Sequence, residues 1–151
     1  VLTSVAATHV PYRGGSLAAN DLLGGQIDYY FAGMPVGLPL AKSGKVRALA
    51  VTGRQHFPGT PDTPTMAESG VPDYDMVLWQ GVFVPAGTPR AVIDKIAADV
   101  AQTLETPEMK ERMAGAGVQI FSLGTDKFGE YYRNDIARWR GIVKQAGITL
   151  D

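Results

Sequence analysis

The fold is decided by the stretch from Thr8 to Gly33, which reads THVPYRGGSLAANDLLGGQIDYYFAG. Its first residues predict a short strand over 8–10, which stops at Pro11 because proline has no N–H to give to a sheet. A pair of glycines breaks the chain, and a helix is predicted from Ser16 to Leu23. Aromatic and β-branched residues over 27–31 then predict a second strand.

The alternation of strands and helices continues along the rest of the chain. The proline-rich segment from Arg54 to Pro64 predicts a surface connection. Further strands are predicted over Val46–Val51, Met76–Pro85 and Val118–Phe121, and further helices over Val36–Lys42, after Pro89, after Pro107 and after Thr125. Strands that alternate with helices are typical of an α/β fold with parallel pairing.

Four threonines are predicted to start helices. Thr65 and Glu68 have the spacing of a capping box, in which each side chain binds the backbone N–H of the other residue. Thr88 precedes a first-turn proline, and Thr106 repeats that pattern before Pro107. Thr125 is predicted to cap the last helix.

Composition excludes several classes of protein. The chain has 151 residues, 45% of them apolar and 19% charged, which suffices for one medium domain or two small lobes. The net charge of -1 argues against nucleic-acid binding, and no apolar run approaches the roughly 20 residues of a membrane span. Cysteine is absent, so disulfides and thiolate metal sites are excluded. Because the sequence starts at Val1 without methionine, we expect a start inside a larger polypeptide.

The glycine pair before the first helix has two interpretations. Gly14, Gly15 and Ser16 place backbone N–H groups at a helix start without shielding side chains, and such a terminus suits a carboxylate or a phosphate. Alternatively, the glycines only form a turn and Ser16 caps the helix. The spacing does not match a nucleotide-binding P-loop.

Catalytic and metal sites find little support in the sequence. His9, Ser16 and Asp21 could be imagined as a hydrolytic triad, but no nucleophile elbow is present and His56 lies in the proline-rich connection. Two distant histidines and scattered carboxylates offer no metal-ligand spacing. We therefore expect no catalytic residue, no metal and no cofactor.

Four segments, in this order, resemble the substrate-binding proteins of tripartite tricarboxylate transporters, also called the Bug family. They are THVPYRGGSLAANDLLGGQIDYYF, GKVRALAVTG, PDTPTMAESGVPDYD and WQGVFVPAGTPRAVIDKI. The resemblance runs from Thr8 to the final AGITLD, and it covers the C-terminal half of a family member. Several motifs in fixed order make it specific.

The resemblance implies the C-terminal portion of a two-lobe, type II periplasmic solute-binding protein of α/β fold. Residues 1–73 would belong to the second lobe, with its cleft-facing loops, and residues 74–151 would cross back to complete the first. The ligand-binding residues would be Tyr12, Arg13, Gly14, Gly15, Ser16, Ala32, Gly33, Met34 and Trp79. Many relatives carry Asp-Asn where Ala32-Gly33 stand here, so one side-chain polar contact is lost. Trp79 could form the cleft floor or simply pack in the core.

The implied function is capture of a small organic acid for the membrane components of a cognate transporter, by a periplasmic protein made with a signal peptide. One alternative is an enzyme or sensor that reuses the same fold. Another is a truncated fragment that binds nothing by itself. Because few strands are predicted in the second half, we expect the chain to pair with a missing N-terminal half or with a second copy.

Overall fold

Five α-helices occur in the part of the chain that the computed structural model describes, which comprises Thr3 and residues 5–147. They are α1 (Gly15–Leu23), α2 (Met34–Lys42), α3 (Arg90–Glu105), α4 (Pro107–Gly115) and α5 (Thr125–Ala146). All five were predicted from the sequence, and α1 and α2 begin one and two residues earlier than predicted. The end of α1 is set by glycine, since Gly24 closes the helix and Gly25 follows at a φ of 70°.

Two of the predicted caps are wrong. The hydroxyl of Thr88 donates to the carbonyl of Pro85 at 2.8 Å, and Pro89 is the N-cap of α3. Thr125 is the first residue inside α5, where Gly124 holds the N-cap position without a side-chain hydrogen bond. The N-cap of α3 therefore lies one residue after the predicted position, and the N-cap of α5 lies one residue before it.

The predicted strands are not paired into a sheet among the described residues. The one pairing there is an isolated parallel bridge between Val51 and Thr65. In it the N–H of Val51 donates to Pro64 at 2.8 Å, and the N–H of Met66 donates to Val51 at 2.9 Å. A strand is stabilised by a hydrogen-bonded neighbour. The other four predicted strand segments form no β-ladder among the described residues, although the N–H of Met76 donates to the Thr52 carbonyl at 2.9 Å.

The capping box after the bridge is confirmed. The N–H of Glu68 donates to the Thr65 hydroxyl at 3.1 Å, and the N–H of Thr65 donates to the Glu68 carboxylate at 2.8 Å. The segment that follows is a single turn that ends at Gly70, not a helix. Thr65 is 2% exposed, so these bonds satisfy the buried polar groups of Thr65.

The chain forms two compact units. The first comprises the described residues up to Gln80 together with Met113–Gln119, and the second comprises Gly81–Arg112 and the described residues from Ile120 onward. The predicted boundary between residues 73 and 74, and the assignment of the two parts to lobes, stay predictions.

In the first unit, α1 packs against α2 around a small core that contains Ala18, Ala19 and Leu38. Gly117 closes onto this core at a φ of 71°. A Cβ at this position would lie 3.1 Å from the Leu38 side chain and 3.2 Å from the carbonyl of Met34. Glycine is therefore required at position 117 both by its backbone angle and by the space available.

In the second unit, α3 packs against α5. The Arg90 guanidinium donates to both carboxylate oxygens of Asp126, at 3.0 and 3.3 Å, which raises the pKa of Arg90 and lowers the pKa of Asp126. The ring of Phe83 lies 5.5 Å from that of Phe128 and 5.4 Å from that of Tyr132. These aromatic contacts bring the segment before α3 onto α5.

Candidate functional site

The start of α1 carries backbone donors that no side chain caps. Gly14 is the N-cap in an extended conformation, with φ 175° and ψ 158°, and it has no side-chain hydrogen bond. Ser16 lies inside the first turn, so the interpretation of Ser16 as the cap is wrong. The first-turn N–H groups of a helix have no intrahelical acceptor and carry a partial positive charge. The N–H groups at this helix start can therefore donate hydrogen bonds to an anion.

The hydroxyl of Tyr30 lies directly beside this helix start, and sequence reasoning did not place it there. A Cβ at Gly15 would be 2.6 Å from the Tyr30 Oη and 3.8 Å from the Val36 side chain. Only glycine leaves room for the tyrosine at that distance. The start of α1, the Tyr30 hydroxyl and the first turn of α2 consequently converge on one place in the first unit.

Tyr12 is anchored to α1. Its hydroxyl donates to the Asp21 carboxylate at 2.7 Å, and this bond raises the pKa of Tyr12. This hydrogen bond holds the loop that leads to Gly14 against α1. Arg13, between Tyr12 and Gly14, is exposed and adds a positive charge next to the helix start.

The second predicted loop starts α2. Gly33 is its N-cap, and the carbonyl of Gly33 accepts from the N–H groups of Val36 and Gly37, both at 2.9 Å. Ala32 and Met34 are half-buried. A Cβ at Gly33 would lie 3.6 Å from the Leu78 side chain, which brings the segment containing Leu78 next to this loop.

Trp79 follows Leu78 in the chain and is half-buried. The structure thus brings Gly15 together with Tyr30 and α2, and it brings Gly33 together with Leu78. The two interpretations of Trp79, cleft floor and core packing, both stay predictions.

The part of the chain that the structure describes contains no group of three or more His, Cys, Asp and Glu side chains that could hold a metal ion. In that same part, no helix is long and apolar enough to cross a membrane. Of the imagined triad, the Asp21 carboxylate accepts a hydrogen bond from the Tyr12 hydroxyl. A shallow apolar groove lies along one face of α5, lined by Ile136, Trp139 and Val143, and none of the predicted site residues lines it.

Several solved structures share the fold of this chain. The structure described as R. palustris Rpa4515 with adipate has a TM-score of 0.89 and 31% identity, covering 98% of this chain and 50% of that one. The periplasmic binding protein BugD has a TM-score of 0.84 and 33% identity, over 95% of this chain and 49% of that one. MatC from Rhodopseudomonas palustris with bound malate has a TM-score of 0.78 and 28% identity, over 92% of this chain and 48% of that one.

Sequence comparison agrees with these structures. Protein BugT of Bordetella pertussis is 31% identical over 98% of this chain and 45% of its own length. The chain thus spans about half the length of these relatives, and its fold is the C-terminal portion of a two-lobe α/β binding protein. The model of the tripartite tricarboxylate transporter family receptor matches residues 2–148. The chain belongs to the tripartite tricarboxylate transporter receptor family.

Proposed function

We propose that this chain is part of an extracytoplasmic solute-binding protein that captures a small carboxylate for a tripartite tricarboxylate-type transporter. The observation that carries the proposal is the uncapped start of α1, in a chain that shares its fold with an adipate-bound and a malate-bound protein. Family members are receptors, and BugD is described as periplasmic. Export to the periplasm and delivery to membrane components of a transporter are parts of the proposal.

The proposed site binds one carboxylate of the ligand at the first turn of α1. The carboxylate oxygens accept from the backbone N–H groups around Gly15 and Ser16, where the helix dipole favours a negative charge. Gly14 leaves this approach open, because a Cβ there would meet nothing within 4 Å. The guanidinium of Arg13 adds a favourable charge, and the Tyr30 hydroxyl adds a neutral donor beside Gly15.

The loop before α2 contributes backbone groups to this site. Ala32 and Gly33 have no polar side chain, so selection among acids would come from the space between this loop and the start of α1. The half-buried Met34 lies in the first turn of α2. Together with Trp79, it would supply apolar surface for the carbon chain of the ligand.

We also propose that the protein binds its ligand without chemical change. A hydrolytic or group-transfer enzyme needs a nucleophile within hydrogen-bond reach of a base. Among the described side chains around α1, Asp21 is engaged by Tyr12, and Ser16 has no hydrogen-bonded base. Backbone amides and one phenol suffice to hold an acid but supply no base to activate it.

Incubation of the full-length protein with adipate is therefore expected to return the acid unchanged. The protein would be denatured after incubation, and the released acid would be quantified by mass spectrometry against a sample without protein. Equal amounts of adipate in both samples agree with a binding protein. Loss of adipate with a matching product would show an enzyme, and the proposal would then fail.

A further inference from the structure

The imidazole of His56 is held between two groups in the first unit. Its Nδ1 lies 2.7 Å from the carbonyl oxygen of Pro61, within the proline-rich loop over 54–64. Its Nε2 lies 3.1 Å from one carboxylate oxygen of Glu68 and 2.9 Å from the other. The ring therefore joins this loop to the Thr65–Glu68 turn.

Both of these partners can only accept a hydrogen bond. A carbonyl oxygen has no proton, so Nδ1 must carry one to bind Pro61. In the neutral ring with that tautomer, Nε2 would present its lone pair to the Glu68 carboxylate, and the contact would be repulsive. Only the imidazolium, which donates from both nitrogens, satisfies both partners at once.

Glu68 is held in its ionised form by the turn that carries it. Its carboxylate accepts from the N–H of Thr65 at 2.8 Å and from the Thr65 hydroxyl at 3.0 Å. These bonds and the His56 contact lower the pKa of Glu68 from 4.5 to about 2. The carboxylate is thus a fixed negative charge, anchored to a residue that is 2% exposed and that also forms the bridge to Val51.

We propose that His56 and Glu68 form a pH-dependent latch, which fastens the loop over 54–64 to the Thr65–Glu68 turn when His56 is protonated and loosens it when the proton leaves. The charged groups that face His56 are Glu68 and Asp62, and both favour the imidazolium. Arg54 lies two residues earlier and donates to Asp75 at 2.9 Å.

The direction of the pH effect follows from the pKa of each partner. The bonds to Glu68 and Pro61 raise the pKa of His56 above 6.5, so its contribution is complete below pH 6.5 and is lost as the pH rises through the raised value. The pKa of Glu68 is lowered, so its contribution is complete above pH 4.5 and is lost as the pH falls through about 2. The latch is therefore closed at pH 6.5 and in mildly acidic solution, and it opens as the pH rises through the raised pKa of His56.

Amide hydrogen exchange in the full-length protein tests the latch. The loop amides of Thr60 and Thr63 donate to Phe57 at 2.9 Å and to Thr60 at 3.0 Å, and they report whether the loop is closed. After correction for the intrinsic exchange rate, their protection is expected to fall several-fold between about pH 5.5 and a pH well above the NMR titration midpoint of His56. The amide of Gly24, bonded to Asn20 at the end of α1, is the reference and is expected to keep its protection.

Two variants make the test specific. Glu68→Gln keeps an oxygen for the capping box but removes the charge, so the NMR titration midpoint of His56 is expected to fall. His56→Gln is expected to give protection of Thr60 and Thr63 that does not change with pH. Protection in the unaltered protein that is independent of pH would overturn the latch, and so would an unchanged His56 midpoint in Glu68→Gln. Neither measurement depends on ligand binding.

Discussion

Replacing Gly14 with aspartate is expected to lower the affinity of the full-length protein for adipate by about 100-fold, which corresponds to ~2.7 kcal/mol. Aspartate is a preferred N-cap, and its carboxylate accepts from the first-turn N–H groups of the helix. The extended backbone at Gly14, with φ 175°, and the open space around it accommodate the new side chain. The substitution therefore places a competing carboxylate where we propose that the ligand binds. Isothermal titration calorimetry would measure the change in affinity.

Gly124→Asp is the matched control for this prediction. Gly124 is the N-cap of α5, also has no side-chain hydrogen bond, and likewise has no atom within 4 Å of an added Cβ. Both substitutions are expected to leave the thermal midpoint unchanged or slightly raised, since aspartate at an N-cap is favourable by a few tenths of a kcal/mol relative to glycine. An adipate affinity that stays the same in Gly14→Asp would rule out the start of α1 as the anion site.

The isolated 151-residue chain is expected to associate into dimers at micromolar concentration. The segment over 76–83 exposes several large apolar side chains, among them Val77 at 58%, Leu78 at 77% and Val82 at 63% exposure. The backbone of this segment is not paired into a sheet. An unpaired apolar segment is a template for pairing with another chain. Sedimentation velocity over a concentration series would measure the association.

Leu78→Lys is expected to shift the isolated chain to the monomer, because a charge on an exposed edge opposes pairing. Val5→Lys is its control, since Val5 is equally exposed, at 78%, but lies outside the segment. We propose that in the full-length protein the same segment is covered by the half that precedes this chain in its relatives. A monomeric isolated chain across the whole concentration series would contradict this account of the segment.

The helices were predictable because their signals are local. Glycines at the end of α1 and prolines near the start of α2 and α4 act on the residues next to them. The capping box at Thr65 was predictable for the same reason, since its two partners are three residues apart. The caps at Thr88 and Thr125 were not, because a hydroxyl near a helix start can bind another carbonyl or lie within the first turn, and the pattern does not separate these outcomes.

Strands depend on neighbours that the residue pattern does not reveal. The run over 46–51 has the composition of a buried strand, yet of its residues only Val51 is paired, and it pairs with Thr65. The pattern of apolar and β-branched residues shows which segments suit a sheet. It does not show whether a neighbouring strand is present to form the hydrogen bonds. The prediction of α/β architecture is confirmed by the relatives, whereas the individual strands are not formed in the described part of the chain.

The local structure of the candidate site was predictable only where it depends on the backbone. The helix start at Gly14 and Gly15 follows from the sequence, because glycine and helix periodicity mark it directly. The position of Tyr30 does not follow, since it depends on how the segment after α1 returns to Gly15. The engagement of Tyr12 by Asp21 likewise joins residues nine apart, across the turn into α1. The only signal in the sequence is that a phenol and a carboxylate lie on either side of this turn, which does not by itself indicate a hydrogen bond between them.

Calorimetric titration of the full-length protein with adipate and, separately, with its uncharged diamide, adipamide, tests the central claim most directly. The two compounds have the same carbon chain, so the difference between them reports recognition of the carboxylate charge. We predict saturable binding of adipate, weakened by Gly14→Asp, and no measurable binding of adipamide. Equal affinity for both compounds, or no binding of adipate or of any other small carboxylate, would contradict the proposal that this protein is a carboxylate receptor.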